Sequence, residues 1–202
     1  MIELTRPQAQ AIVSLAYALA GKLTGKDVLV GIPTDGVPAV IGLEHSLYKL
    51  GHGKFKIGYV AASSNKEYPF VDMNQLRRLK QTTDRRIFVD WRTKTGSLGQ
   101  LLRQADSSCV YAVLSDPNGR ADMRGTLEDV PKIAFPEDLQ QTMRIIGLMT
   151  RPDTLEGIRS QGGNLTYNEQ ETPESTQFYG KLLMKIDDII QSYQSEGHSY
   201  VA

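Results

Sequence analysis

The stretch RRIFVDWRTKTGSLGQLL, residues 85–102, constrains the fold of this chain more than any other. Ile87, Phe88 and Val89 form a short apolar run that ends in an acid, Asp90. A loop of Thr93, Lys94, Thr95, Gly96 and Ser97 follows, and a second apolar run then restarts at helical spacing from Leu98. A continuous apolar run of this length reads as a strand buried on both faces, the kind found in parallel sheets covered by helices. The order is therefore strand, acid, loop, helix. Backbone N–H groups at a helix start carry partial positive charge and can surround a phosphate, and glycine lets the backbone come close. The hydroxyls of Thr93, Thr95 and Ser97 add donors and Lys94 a cation. The plain alternative is a strand-to-helix turn capped by Thr or Ser.

The rest of the chain repeats this alternation. Thr5, Arg6, Pro7 and Gln8 have the form of a capping box with proline in the tolerated first turn, and Ile12, Ala16, Leu19 and Leu23 recur at helical spacing. GKLTGK, residues 21–26, lacks the spacing and the preceding strand of a nucleotide-binding loop and reads as a helix end with a turn. DVLVGI, residues 27–32, reads as a buried strand, after which PTDG turns the chain. Val37, Val40, Leu43, Leu47 and Leu50 then restart the helical period. KFKIGYVA, residues 54–61, alternates Phe55, Ile57, Tyr59 and Ala61 as a strand with one face more buried. Residues 62–84 are polar and predict a mobile excursion with one helical turn around Leu76 and Leu79. Strands over 87–89 and 109–114 flank a helix over 98–105, and VPKIAFP, residues 130–136, predicts a further strand. Such alternation implies βαβ units, hence an α/β fold with a mostly parallel twisted sheet flanked by helices over residues 1–138. Residues 139–202 predict a helical C-terminal extension or hood, with helical patterns over 137–149 and 178–193.

Composition narrows the function. Lys plus Arg and Asp plus Glu are equal at 23 each, so bulk nucleic acid and membrane surfaces are not expected partners. No apolar run approaches the roughly 18 residues of a membrane span, and the N-terminus lacks an export signal pattern, so a cytoplasmic setting is expected. The single cysteine, Cys109, reads as a small buried hydrophobe. His45, His52 and His198 share no metal-ligand spacing, so no zinc site is expected. Leu182, Leu183, Ile186, Ile189, Ile190 and Tyr193 form a broad apolar face. That face either joins two copies into a homodimer or packs on its own domain.

Ligands of open parallel sheets bind at the carboxyl ends of strands, near the switch in strand order. Three polar, glycine-bearing loops leave such ends, at residues 33–36, 90–97 and 115–120. Taken together they resemble the type I phosphoribosyltransferase family. Its apolar strand, two acids and T-G-x-T phosphate loop appear as IFVDWRTKTGSL, and its pyrophosphate loop as GIPTDGVPA. VYAVLSDPNGRADMRGTLEDVPKIAFP is similar to the base-side segment of hypoxanthine-type transferases and of the pyrimidine-operon attenuator. The resemblance spans residues 8–138.

The resemblance implies displacement of pyrophosphate from C1 of 5-phosphoribosyl-1-pyrophosphate (PRPP) by a nitrogen nucleophile, with Mg²⁺ neutralising the leaving group. It implies that Thr93, Lys94, Thr95, Gly96 and Ser97 hold the 5′-phosphate and that Thr34, Asp35 and Gly36 hold the pyrophosphate. Asp90 would accept from the ribose hydroxyls, and Asp90 and Asp116 are the candidate catalytic and metal-binding carboxylates. Asn118, Arg120 and Trp91 fall on the base side, while Lys66, a further candidate catalytic residue, falls with Glu67 and Tyr68 in the family's flexible lid.

Two departures stand out. Trp91 occupies the place of the second acid, and Leu98 that of the last hydroxyl residue of the phosphate loop. A carboxylate restored at position 91 would be expected to strengthen PRPP binding. Trp91 is either a packing residue or a surface for a base to stack on, and Asp35 and Asp116 are alternatively turn residues. The functional expectation is a Mg²⁺-dependent phosphoribosyltransferase of salvage or biosynthesis. The alternatives are a non-catalytic relative that binds PRPP or a nucleotide as a regulator, through RNA or protein partners, and a generic sugar-phosphate-binding protein.

Overall fold

A computed structural model of the protein describes residues 5–32, 36–64, 69–81, 85–131 and 173–196. The first helix, α1 (Arg6–Ala20), starts where the capping pattern puts it: the Thr5 N–H donates to Gln8 Oε1 at 2.7 Å, and Pro7 lies in the first turn. β1 (Asp27–Gly31), α2 (Gly36–Lys49) and β2 (Lys56–Tyr59) follow. A short antiparallel pair, β3 (Ala62–Ser63) and β4 (Phe70–Val71), leads into α3 (Met73–Lys80). β5 (Arg85–Arg92), α4 (Ser97–Ala105), β6 (Val110–Ser115) and β7 (Met123–Thr126) complete the α/β part, and α5 (Pro173–Ser195) comes last.

The five-stranded sheet has the order β2-β1-β5-β6-β7, and all its pairings are parallel. Alternation along the strands builds two apolar layers. Leu29, Ile87, Val89, Trp91, Ala112 and Leu114 point to one face, where α1, α2 and α5 cover them. Val28, Val30, Phe88, Tyr111 and Val113 point to the other, covered by Leu76 of α3 and Leu102 of α4. The crossover from β1 through α2 to β2 thus lies on one face, and that from β5 through α4 to β6 on the opposite face. Connections diverge between β1 and β5, which makes that seam the topological switch point.

The structure sharpens three expectations. The strand after β6 is β7; of the expected strand VPKIAFP, Val130 and Pro131 are outside any strand and residues 132–136 lie outside the described part. β7 reads MRGT, with little apolar character, because it is an edge strand pressed against α1. A Cβ on its Gly125 would stand 2.1 Å from the Ala11 carbonyl oxygen, so only glycine allows that approach. Next, the segment 62–84 holds more regular structure than one helical turn. Asp72 caps α3 by accepting from the N–H groups of Asn74 (2.9 Å) and Gln75 (3.0 Å), and Leu76 anchors the helix in the core. Finally, the apolar face of the C-terminal helix is used within the chain. Leu182, Ile186, Ile189 and Ile190 are buried in the α1–α2 layer, Leu183 and Tyr193 pack against it, and Gly42 of α2 makes room for Ile186. Asp187 of α5 accepts from His45 (2.8 Å) and pairs with Lys49 (3.3 Å) beside this seam. The homodimer expectation therefore loses the surface that motivated it. The helical pattern at 137–149 lies outside the described residues.

Charge pairs secure the amino-terminal ends of the central strands, opposite the loops. Arg86 Nε and Nη2 donate to Asp106 at 2.6 and 2.7 Å, with both side chains almost fully buried. Arg85 makes the same two-pronged contact with Asp27, at 3.0 and 2.7 Å. Burial opposes ionisation of Asp106 and Asp27, but hydrogen bonds from the arginines, Ser108 and Thr24 outweigh it and leave both carboxyls below the usual range. Cys109 is buried as expected, and burial first, then the charge of Asp106, pushes its thiol up to about 11.

Two predictions follow from these contacts. Because the folded carboxyls titrate below their unfolded values, their stabilisation is complete above about pH 4 and is lost as pH falls through the depressed values. Urea midpoints measured across pH 2–7 should fall steeply below about pH 4 in the wild type, and less steeply in Asp106→Asn, which should be about 3–5 kcal/mol less stable at neutral pH. Ile186→Ala should cost about 2–4 kcal/mol by the same measurement, as expected for a core position. A surface position would cost almost nothing.

Candidate functional site

The start of α2 at Gly36 and the loops after β5 and β6 lie at the carboxyl edge of the sheet. At the carboxyl end of the seam between β1 and β5, Val89 O accepts from the Ile32 N–H at 3.0 Å, and a Cβ on Gly36 would stand 2.3 Å from it. Gly36 opens α2, so only glycine lets the start of that helix lie directly against β5, with Asp90 Cα 3.5 Å from the same point. Thr34 and Asp35 lie outside the described residues, as do Lys66, Glu67 and Tyr68.

The loop after β5 adopts the expected strand-to-helix form. Gly96 is left-handed (φ 73°) at the N-cap of α4, a conformation that disfavours other residues. Its N–H donates to Thr93 Oγ1 at 3.1 Å, and the Ser97 N–H donates to Thr95 Oγ1 at 3.3 Å. Thr95 Oγ1 and Ser97 Oγ lie 2.8 Å apart, and Ser97 Oγ also reaches Ser64 Oγ at 3.0 Å. That last contact brings the end of β3 to the loop. Thr93 is buried, whereas Lys94 and Thr95 are exposed.

The third loop closes on the second. Asn118 Nδ2 donates to the Lys94 carbonyl at 2.8 Å, and Arg120 Cβ lies 2.9 Å from where a Cβ on Gly96 would stand. Arg120 and Arg124 are exposed beside this loop, so with Lys94 they give the opening a positive rim. Asn118 and Arg120 thus lie beside the loop after β5.

Asp116 does not offer a face to a ligand. It is fully buried, its Oδ2 accepts from the Ala121 N–H at 2.8 Å, and its carbonyl accepts from the Gly119 N–H at 3.3 Å. This is the turn role, and the catalytic and metal-binding assignment of Asp116 does not carry forward. Its Oδ1 is buried without a partner among the described residues.

Asp90 and Trp91 point to opposite faces. Asp90 is half-buried on the α4 side, with Oδ1 accepting from the Trp91 N–H at 2.7 Å and Oδ2 from the Tyr111 hydroxyl at 3.2 Å. The Trp91 indole is 1% exposed and packs in the α1–α2–α5 layer. Of its two readings, packing fits this placement and stacking on a base does not. A carboxylate at position 91 would enter the apolar core instead of the ligand site, because strand neighbours alternate.

Tyr111, Ser64 and Gly99 were not legible as site residues. Tyr111 hides inside an apolar strand, and only the pairing of β5 with β6 brings its hydroxyl to Asp90. Ser64 reaches the loop only through the β3–β4 pair.

Among the described residues no group of three His, Cys, Asp or Glu side chains could hold a metal. Asp90 is a half-buried carboxylate at this edge, and a Mg²⁺ ion can be held by one or two carboxylates together with phosphate and water oxygens. No helix among the described residues is long and apolar enough to cross a membrane.

Strand order, the diverging crossovers and the antiparallel excursion between β2 and β5 are consistent with the type I phosphoribosyltransferase fold. No protein-family model matches the chain, and no curated protein matches it. Similar solved structures include the hypoxanthine phosphoribosyltransferase from Trypanosoma cruzi in complex with the product IMP, at 16% identity and a TM-score of 0.41 over 57% of this chain and 69% of that one. Another is a purine phosphoribosyltransferase from Pyrococcus horikoshii, at 20% identity and a TM-score of 0.40 over 56% and 75%. A hypothetical protein from Neisseria gonorrhoeae with bound ppGpp aligns over 81% of this chain and 97% of its own, at 16% identity and a TM-score of 0.44.

Trp91→Asp tests the division of faces. It should lower stability by about 3–5 kcal/mol or more in chemical denaturation, since it removes a core aromatic and buries a charge. It should not strengthen binding of any phosphorylated ligand. A stable variant with tighter ligand binding would place residue 91 on the ligand side.

Proposed function

We propose that this protein binds 5-phosphoribosyl-1-pyrophosphate at the β1–β5 seam and transfers its phosphoribosyl group to a nitrogen base in a cytoplasmic setting. The reading rests on one observation above all: Gly36 and Asp90 lie against each other at the switch point, and the strand that carries Asp90 runs on into the Gly96 helix start. The loop of Thr93, Lys94, Thr95, Gly96 and Ser97 would take the 5′-phosphate, through first-turn amides of α4, hydroxyls and the Lys94 charge. The turn of Thr34, Asp35 and Gly36 would take the pyrophosphate, and Asp90 the ribose hydroxyls. Asn118 and Arg120 would border the base.

In the reaction the bond from C1 to the pyrophosphate oxygen breaks, its electrons leave with pyrophosphate, and a base nitrogen bonds to C1 and gives up its proton. The transition state carries positive charge at the ribose, so an aligned carboxylate and exclusion of water are what the chain can contribute. Bound Mg²⁺ would neutralise the departing pyrophosphate. Lys66 would act from the lid that the family resemblance implies.

A second reading is supported by the burial of Trp91. With that side chain in the core, one carboxylate faces the ribose where the family uses two acids. A protein that binds PRPP or a nucleotide and signals its presence, without turnover, would need no more than that.

Calorimetric titration of PRPP with and without Mg²⁺, followed by a pyrophosphate-release assay across purine and pyrimidine bases, separates these readings. The transferase should bind PRPP more tightly with Mg²⁺ and release pyrophosphate with at least one base. Tight binding with no release for any base would establish the regulator, and no binding in either condition would end both.

A further inference from the structure

We infer that Tyr111 is a positioning residue for Asp90, its hydroxyl fixing the carboxylate that faces the ribose; this rests on the phosphoribosyl reading above. Tyr111 pairs with Phe88 across the β5–β6 seam, and Asp90 pairs with Val113, so Tyr111 and Asp90 share one face two residues apart in register. The hydroxyl donates to Asp90 Oδ2 at 3.2 Å while the Trp91 N–H donates to Oδ1 at 2.7 Å. Both carboxylate oxygens are thereby tied, and the plane of the group is set.

The placement of the phenol is built in from three sides. The ring is fully buried, and a Cβ on Gly99 of α4 would stand 2.6 Å from its Cδ1, so only glycine at that helix position admits it. The Tyr111 N–H donates to Asp122 Oδ2 at 2.9 Å, and its carbonyl accepts from the Asp122 N–H at 3.0 Å. Asp122 is itself held by Arg103 at 2.6 Å. Burial, and then the negative charge of Asp90, raise the phenol well above its ordinary range, so it remains a donor.

Packing alone does not call for this hydroxyl. Its neighbours in the layer include Phe88, Leu102 and Val113, and a phenylalanine would satisfy them. Burying a hydroxyl costs free energy unless it finds a partner, and here it hydrogen-bonds Thr93 and donates to Asp90, a carboxylate at the site. A ribose diol needs that carboxylate at a set angle. A group already held there loses less freedom when the ligand binds.

The test is calorimetry with ribose 5-phosphate and with inorganic phosphate, on wild type, Tyr111→Phe, Asp90→Asn and the double variant. Tyr111→Phe keeps the ring on Gly99 and removes the hydroxyl alone. It should weaken ribose 5-phosphate about five- to tenfold and leave inorganic phosphate within about twofold. In the Asp90→Asn background the same change should add less than about a further twofold, because the two residues act through one contact. Gly99→Ala, which crowds the same ring, should reproduce the selective loss. Equal weakening of both ligands by Tyr111→Phe, or an undiminished loss in the Asp90→Asn background, would overturn the role of Tyr111. A wild-type preference for ribose 5-phosphate that Tyr111→Phe leaves intact would overturn that role alone. A wild type with no such preference would overturn the phosphoribosyl reading as well.

Discussion

The Val89 carbonyl is the point on which the site depends. It accepts from the Ile32 N–H, which ties the chain leaving β1 to β5, and it leaves no space for a side chain at Gly36. Without that approach α2 would begin farther from the sheet edge, and the two loops would open separately toward solvent. The parallel pairing of β1 with β5 sets their carboxyl ends side by side, and the crossovers leave in opposite directions. A gap between two diverging connections, beside the start of a helix, is what an anionic ligand needs. The ion pairs of Arg85 and Arg86 act at the other ends of the strands. They fix the sheet without placing charge in the gap.

Alternation along β5 explains how one strand can serve both core and ligand. Phe88 and Asp90 project toward α4, while Ile87, Val89 and Trp91 project toward α1, α2 and α5. The third helix on that face enlarges the apolar layer, and a tryptophan at its upper end adds large buried area there. Its indole N–H is buried without a partner among the described residues, which opposes part of that gain. A residue of such cost and bulk is explained by packing volume, not by ligand contact. The chain has thereby committed position 91 to the core, and of the two neighbouring positions Asp90 is the one on the α4 side.

Much of this was readable from the letters. The strand, acid, loop and helix of residues 85–105 are local in sequence, so apolar run length, Gly96 and the hydroxyls sufficed to place them. The buried strand at 27–31 and the helices at 6–20 and 36–49 were equally plain, because their apolar periods are strong. What failed to show was non-local. β7 has one apolar residue in four, and its existence depends on pairing with β6 and on Gly125 lying against Ala11. Asp116 reads as a ligand or as a turn residue by composition alone, and only its complete burial decides between them. The face of α5 reads equally as an interface or as a core contact, until Gly42 is seen to make room for Ile186.

The state of the loop itself bears on how it would receive a phosphate. Gly96 and Ser97 amides are directed at hydroxyl oxygens of Thr93 and Thr95, neutral acceptors supplied by the same turn. A hydroxyl can rotate from acceptor to donor at little cost, whereas the backbone around Gly96 is already in the left-handed form that the helix start requires. A dianion would then take over the amide protons, and the same hydroxyls would turn to donate to it. Each exchange replaces a neutral hydrogen bond worth about 1 kcal/mol with a charge-assisted one worth roughly twice that. The backbone needs no rearrangement, so most of that gain remains as affinity. Ser97 also touches Ser64, so the exchange extends to the β3–β4 pair. Occupancy of this loop by an anion would thereby be felt by the β3–β4 pair, which lies outside the five-stranded sheet.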